Sequence, residues 1–366
     1  MQPLLYITNN YKLVVGYHLL RKSWSTVHIM GRIFFFDLLR CIAAVAVVAI
    51  HVLAPYRHEL NSIPFDQWVT AVSINSLSRW AVPVFIMITG ALMLSDKREF
   101  DAPYYVKKRL GKVLVPFLFW SVFYALFSGL TAQGYDFESA KMVLIDLPFE
   151  YTYYHLGFFY YFLPLYIVIP FFRVMVQKMD NTALFSVIGV WLLTTCFFLV
   201  KFEGFWSTEI WLYSGYLLLG YALYKRVSLT KTNTIIALFI GITALATTVY
   251  MVITQSVLLG EYTVGRWLSY KTINTVAAAG MLFFVCRYYG ESLSDKSRTI
   301  VGFISTYSLG IYLLHPLFLW PMKNYEWYEG QNPMWVIPVW VVLSGAGALG
   351  LSWLLSKSKK TAWLVP

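Results

Sequence analysis

Three ionisable side chains, Asp37, Arg40 and His51, lie in one apolar run at about 33–53. A charge in the middle of a bilayer is costly, so an ionisable residue in such a run marks a functional site by default. Asp37 and Arg40 are three residues apart, share a helix face and can pair. Eleven residues separate Arg40 from His51, about 20° from alignment on a helix and about 16 Å along its axis. One face would therefore present an ion pair near one end and an imidazole near the other. Histidine gains and loses a proton near neutral pH, and a guanidinium supplies fixed positive charge. The plainer alternative is an ion pair at the helix entrance and a histidine at the opposite interface.

Other polar groups fall at the depth of His51 when the apolar runs are threaded alternately. Arg79 opens the second run in NSLSRWAVPVFIMITG, and His155 sits at re-entry in YYHLGFFYYFLPLY. Lys271 and Asn274 fall in the outer part of the eighth run, and His315 near the outer end of the ninth, in STYSLGIYLLHPLF. Singly, His155 and His315 read equally well as interfacial anchors and Lys271 as a snorkelling lysine. Together they describe a polar cavity open toward the outer leaflet. With Tyr307, which shares the segment of His315, they are the candidate substrate-binding residues. The loop DKREFDAPYYVKKRLGK carries Lys108, Arg109 and Lys112 just before the third run. It is either a topology signal in contact with anionic lipid or a docking surface for a polyphosphate arriving from the cytoplasm.

Several chemistries lack their spacing. There is no HxxxH or HExxH pair, no GxSxG elbow and no GxxxxGK[ST] loop, so a metal site and a nucleotide-driven pump are not expected. The three cysteines, Cys41, Cys196 and Cys286, sit in or beside apolar stretches and make no disulfide framework.

The elements that must position these residues follow from composition. Of 366 residues 58% are hydrophobic and 13% charged, where a soluble domain carries about 25% charged. Mean hydropathy is +0.60. At about 20 residues per crossing the apolar content supplies about ten spans. They are read at about 33–53, 79–95, 113–133, 157–177, 183–200, 205–224, 233–254, 266–288, 300–320 and 335–355. Continuous apolar runs such as CIAAVAVVAI indicate helices and not a barrel, so the expected fold is an all-α polytopic bundle. With the N-terminus inside, 21 lysines and arginines fall in inner segments and 4 in outer loops, which sets both termini in the cytoplasm. The net charge of +11 is then mostly topology and not a nucleic-acid signal. Residues 1–30 have no signal-peptide pattern and read as an N-terminal extension, either an amphipathic arm or sequence upstream of a start at Met30. Residues 31–356 form one membrane domain and 357–366 a basic cytoplasmic tail.

The chain resembles the acyltransferase-3 family of integral membrane acyltransferases. The motifs that carry the likeness are FFDLLRCIAAVAVVAIH, SRWAVPVFIMITGALML, KKRLGKVLVPFLFW, HLGFFYYFLPLYIVIP and STYSLGIYLLHPLF, in that order. Within the family it is most similar to the group that includes the enterobacterial common antigen O-acetyltransferase. The resemblance implies transfer of an acetyl or other acyl group from acyl-CoA to a hydroxyl of a cell-envelope polysaccharide or glycolipid at the bacterial inner membrane. It makes His51 the catalytic histidine, with Arg40, Asp37 and Arg79 beside it, and the basic pattern Lys108, Arg109 and Lys112 the CoA-binding group. Where the family often has two arginines three apart, this chain has Arg109 and Lys112, which keeps the charge and loses one bidentate guanidinium.

The residues suit that chemistry. A neutral imidazole can take the acceptor hydroxyl proton, and Arg79, Asn274 or a backbone amide can donate to the tetrahedral oxyanion. A secondary transporter or flippase for a polar lipid or sugar would also carry ten spans with intramembrane charges. Succinyl transfer is a third reading. The sequence leaves open whether the acyl group passes directly to the acceptor or first onto His51.

Overall fold

The computed structural model describes residues 33–366. It is built almost wholly of helices. In chain order these are α1 (Phe34–Val52), α2 (Phe65–Ser78), α3 (Ala81–Leu94), α4 (Ala102–Tyr105), α5 (Gly111–Phe127), α6 (Phe137–Asp146), α7 (Gly157–Lys178), α8 (Asn181–Leu199), α9 (Glu209–Lys225), α10 (Lys231–Leu259), α11 (Ile273–Tyr289), α12 (Asp295–Thr306), α13 (Ser308–Asn324) and α14 (Pro333–Ser356). The strand content described is one short hairpin, β1 (Leu130–Thr131) with β2 (Gly134–Tyr135).

Each of the ten apolar runs contains a helix. Among the described residues seven candidate spans reach 18 residues with the apolarity to cross a membrane, and α12 with α13 make an eighth that is bent by 68°. Helices α9 and α11 stop at 17 residues each, the short end of the range that crosses a bilayer. This is an all-α polytopic membrane protein. In lipid a backbone can satisfy its N–H and C=O groups only within its own segment, so these apolar runs become helices whatever their residue propensities.

One boundary differs from the sequence reading. The second span does not open at Arg79. The candidate span runs Phe65–Leu94, with α2 and α3 meeting at Arg79 and Trp80. The segment 65–78 has weak apolarity because it carries Asp66, Gln67, Asn75 and four hydroxyl residues, Thr70, Ser73, Ser76 and Ser78. It is helical because its apolar side packs a second core of Trp68, Val72, Val252 and Leu268 against α10.

The helix at the centre of the functional question is α1. Leu39, Ala43, Val47, Val48 and Val52 are all at most 2% exposed, and so is Asp37, so most of its circumference faces protein. Helices α3 and α9 pack at backbone contact through two glycines. A Cβ on Gly90 would meet the Leu217 backbone, and one on Gly220 would meet the Met87 backbone. Helices α10 with α11, and α13 with α14, form the other close pairs. The stretch 357–366 is not a free tail. It turns back so that Leu364 and Val365 are buried, and the Trp120 indole donates to the Leu364 carbonyl at 2.9 Å. Lys359 and Lys360 stay exposed.

Candidate active site

The first turn of α1 carries Asp37, which is 2% exposed. Its carboxylate accepts from Ser305 Oγ at 2.7 Å and from Arg40 Nη1 at 3.4 Å. An acidic group in a first helical turn also complements the helix dipole. Ser305 lies in α12, just before the bend, so Asp37 fixes α1 to the hinge from which α13 departs. The pairing expected between Asp37 and Arg40 is present.

The last turn of α1 carries His51. Its ring lies 5.2 Å from the His315 ring, stacked at 26°, and 4.7 Å from the Tyr154 ring. His155 meets His315 edge-on at 5.6 Å. Three histidines from α1, the loop before α7, and α13 therefore form one cluster. His315 Nδ1 lies 3.1 Å from the Ile311 carbonyl. A carbonyl only accepts, so Nδ1 carries the hydrogen and Nε2 presents its lone pair. The backbone carbonyl of His155 accepts from the Tyr312 hydroxyl, and its ring is edge-on to Tyr124 at 4.7 Å. These contacts hold the short loop 151–156 against α5 and α13.

Two cavities reach this region from opposite ends of α1. One, of about 550 Å³, is lined by His51, Tyr154, His155, Tyr161, Glu209 and Tyr270 among others. The other, of about 490 Å³, is lined by Arg40, Lys108, Arg109 and Lys112 together with apolar side chains such as Phe85, Ile88, Leu92 and Phe162. Phe158 and Tyr312 line both and form the partition between them. One π-type turn, Val106–Leu110, precedes α5; such widened turns recur at functional sites. It brings the adjacent Lys108 and Arg109 to the same cavity as Lys112. Pro366, from the folded-back C-terminal segment, closes part of the same wall.

A smaller cavity of about 260 Å³ adjoins the basic one through Met93, Tyr104 and Arg109 and is edged by Asp96, Arg98 and Arg173. The Arg98 guanidinium donates to the Asp96 carboxylate at 2.9 and 3.1 Å. Those bonds hold the Asp96 pKa down at about 2, against the smaller opposing effect of burial.

The remaining residues singled out from sequence divide. Lys271 Nζ pairs with Glu209 at 3.0 Å, and Glu209 lines the histidine cavity. Arg79 stands one layer back: its Nε donates to the Leu268 carbonyl at 2.8 Å and its guanidinium covers the Tyr270 ring at 4.3 Å. Asn274 is committed to structure, its amide donating to Thr248 Oγ1 and the Trp267 carbonyl at 2.8 Å each. Tyr307 is at the bend, eight residues before His315, where its hydroxyl accepts from Ser356 Oγ at 3.4 Å. The fold thus joins His51, His155 and His315 with Lys271 nearby, and leaves Asn274 and Tyr307 outside the cavity. Both lie on the expected segments, but their helix faces turn toward α10 and α14.

Sequence reasoning passed over Tyr154, Tyr312, Phe158 and Lys323. The three aromatics belong to a chain in which 19% of residues are aromatic, so type alone does not single them out. Tyr154 had one signal, its place next to His155. Lys323 is one of the four basic residues that the charge count places in outer loops. It lies in the last turn of α13, with Nζ 4.1 Å from the centre of the Tyr154 ring. Among the described residues no group of three or more His, Cys, Asp or Glu is arranged to hold a metal ion.

A sequence model of a family described as an acyltransferase domain matches residues 33–357. No curated protein and no solved structure gives a match.

Proposed function

Since the chain belongs to the acyltransferase-3 family and is a multi-pass membrane acyltransferase, we propose that it moves an acetyl group from acetyl-CoA to a hydroxyl of a cell-envelope carbohydrate. The observation that carries this reading is the pair of cavities separated by Phe158 and Tyr312, one basic and one histidine-lined, with His51 lining the second. The basic cavity suits the donor. Arg40, Lys108, Arg109 and Lys112 can meet the phosphates of CoA, and the apolar walls suit the pantetheine arm. The histidine cavity suits a polyhydroxylated acceptor: aromatic rings offer stacking faces, and Glu209 with Lys271 offers paired polar partners.

In this reading the basic cavity faces the cytoplasm of a bacterial inner membrane, as the charge asymmetry of the loops implies. His51 takes the proton of the acceptor hydroxyl as that oxygen attacks the thioester carbonyl. It then returns the proton to the departing thiolate. Asp37 and Arg40 set the angle of α1 and shape the inner end of the donor path. Arg79 works through Tyr270 and the Leu268 carbonyl, as a positioning residue and not a direct donor. The likeness to the enterobacterial common antigen O-acetyltransferase group makes a lipid-linked or polymeric envelope sugar the proposed acceptor.

Mass spectrometry of envelope glycans from a deletion strain tests this. Loss of acetyl groups, restored by the wild-type chain, is the expected result. Unchanged acetylation with an accumulated unexported precursor would replace the reading with transport.

A further inference from the structure

Acyl transfer passes through a tetrahedral oxyanion, and a site that stabilises it needs a hydrogen-bond donor aimed at that oxygen. The two side chains that sequence offered are otherwise engaged. Arg79 Nε is bonded to the Leu268 carbonyl and its guanidinium covers Tyr270. The Asn274 amide is spent on Thr248 and Trp267. Tyr312, on the partition, donates its hydroxyl to the His155 carbonyl.

Tyr154 differs from all of these. Its ring packs on His51 at 4.7 Å, and the residue lines the histidine cavity. Its hydroxyl oxygen is buried and makes no hydrogen bond among the described residues. Buried polar groups nearly always have a partner, so such a hydroxyl asks for one. Lys323 Nζ lies over the face of the same ring at 4.1 Å and forms no salt bridge among the described residues. A cation there is held by the ring quadrupole, and its field favours negative charge gathered beside the phenol.

We propose that the Tyr154 hydroxyl donates the hydrogen bond that stabilises the oxyanion, and that Lys323 positions and polarises Tyr154 from the face of its ring. This rests on the acyl-transfer reading above. The acceptor O–H proton passes to His51 as the new C–O bond forms, and the carbonyl π pair moves onto its oxygen. Tyr154 donates to that oxygen and keeps its own proton throughout. The carbonyl then re-forms, the C–S bond breaks, and the thiolate takes the proton from His51. Electrons and protons balance with no further reactant.

The test uses the full chain in lipid nanodiscs, with acetyl-CoA as donor and a total glycolipid extract of the deletion strain as acceptor, read by thiol release. Tyr154→Phe keeps the ring packing and removes a hydroxyl that bonds nothing among the described residues, so it should fold with unchanged thermal unfolding. Its kcat should fall by about 100-fold or more, the usual cost of losing one oxyanion donor, with KM for acetyl-CoA nearly unchanged. Lys323→Met should also lower kcat and leave KM, and Lys323→Arg should recover most of the loss. A Tyr154→Phe enzyme with wild-type kcat, or one changed only in KM, overturns this proposal, while an inactive His51→Ala enzyme in the same assay keeps the underlying reading. No thiol release from the wild-type chain overturns both.

Discussion

At the scale of single residues, the proposed chemistry rests on the polar groups of α1, Asp37, Arg40 and His51. Asp37 is satisfied by Ser305 and Arg40, and His51 packs on two rings while lining a cavity. Outside the spans, Asp96 offers a pH test. Its carboxyl pKa lies at about 2 against an ordinary 3.8, mainly through the Arg98 hydrogen bonds. A depressed acid stabilises the fold fully above its unfolded pKa and loses that effect as pH falls through the folded value. The Asp96–Arg98 contribution should therefore be constant from pH 8 to about 4 and disappear between about 4 and 2. Thermal unfolding of wild type and Asp96→Asn across that range checks it: the two curves should converge at the acid end. A difference that persists at pH 2 would place the effect elsewhere.

At the scale of elements, hydrophobic runs made the helices legible and left their partners hidden. Run positions marked ten helical segments, because a lipid-facing backbone has no other way to satisfy itself. The α2 segment falls between the apolar runs at 33–53 and 79–95, since Asp66, Gln67 and Asn75 dilute its apolarity and its packing against α10 is a long-range fact. His51, His155 and His315 were placed at one depth by alternating topology, and the fold brings their rings together. Asn274 and Tyr307 were placed at plausible depths, but depth does not specify helix face. Tyr154 and Lys323 needed the three-dimensional contact itself. The α3–α9 pair carries its own test. Side chains at Gly90 and Gly220 would collide with backbone, so Gly90→Leu should cost about 3 kcal/mol or more through overpacking. Gly350, whose Cβ position meets nothing within 4 Å, is the control: Gly350→Ala should be neutral or slightly stabilising. Thermal unfolding in detergent that ranks the two variants the other way would mean α3 and α9 are not in backbone contact.

At the scale of the whole molecule, one helix links two cavities of opposite character. Arg40 opens on the basic one and His51 on the histidine-lined one, about 16 Å apart along α1. Phe158 and Tyr312 line both cavities and stand between them, so in the proposed function a donor and an acceptor would approach from different sides. The folded-back C-terminal segment, anchored by Trp120, adds to the basic wall. The most direct measurement is the acetyl content of envelope glycans in a deletion strain that carries His51→Ala, with the variant protein shown in the membrane at wild-type level. Acetylation should be abolished, while the wild-type chain restores it in full. Full acetylation by His51→Ala would contradict the assignment of His51 as the base in the histidine-lined cavity.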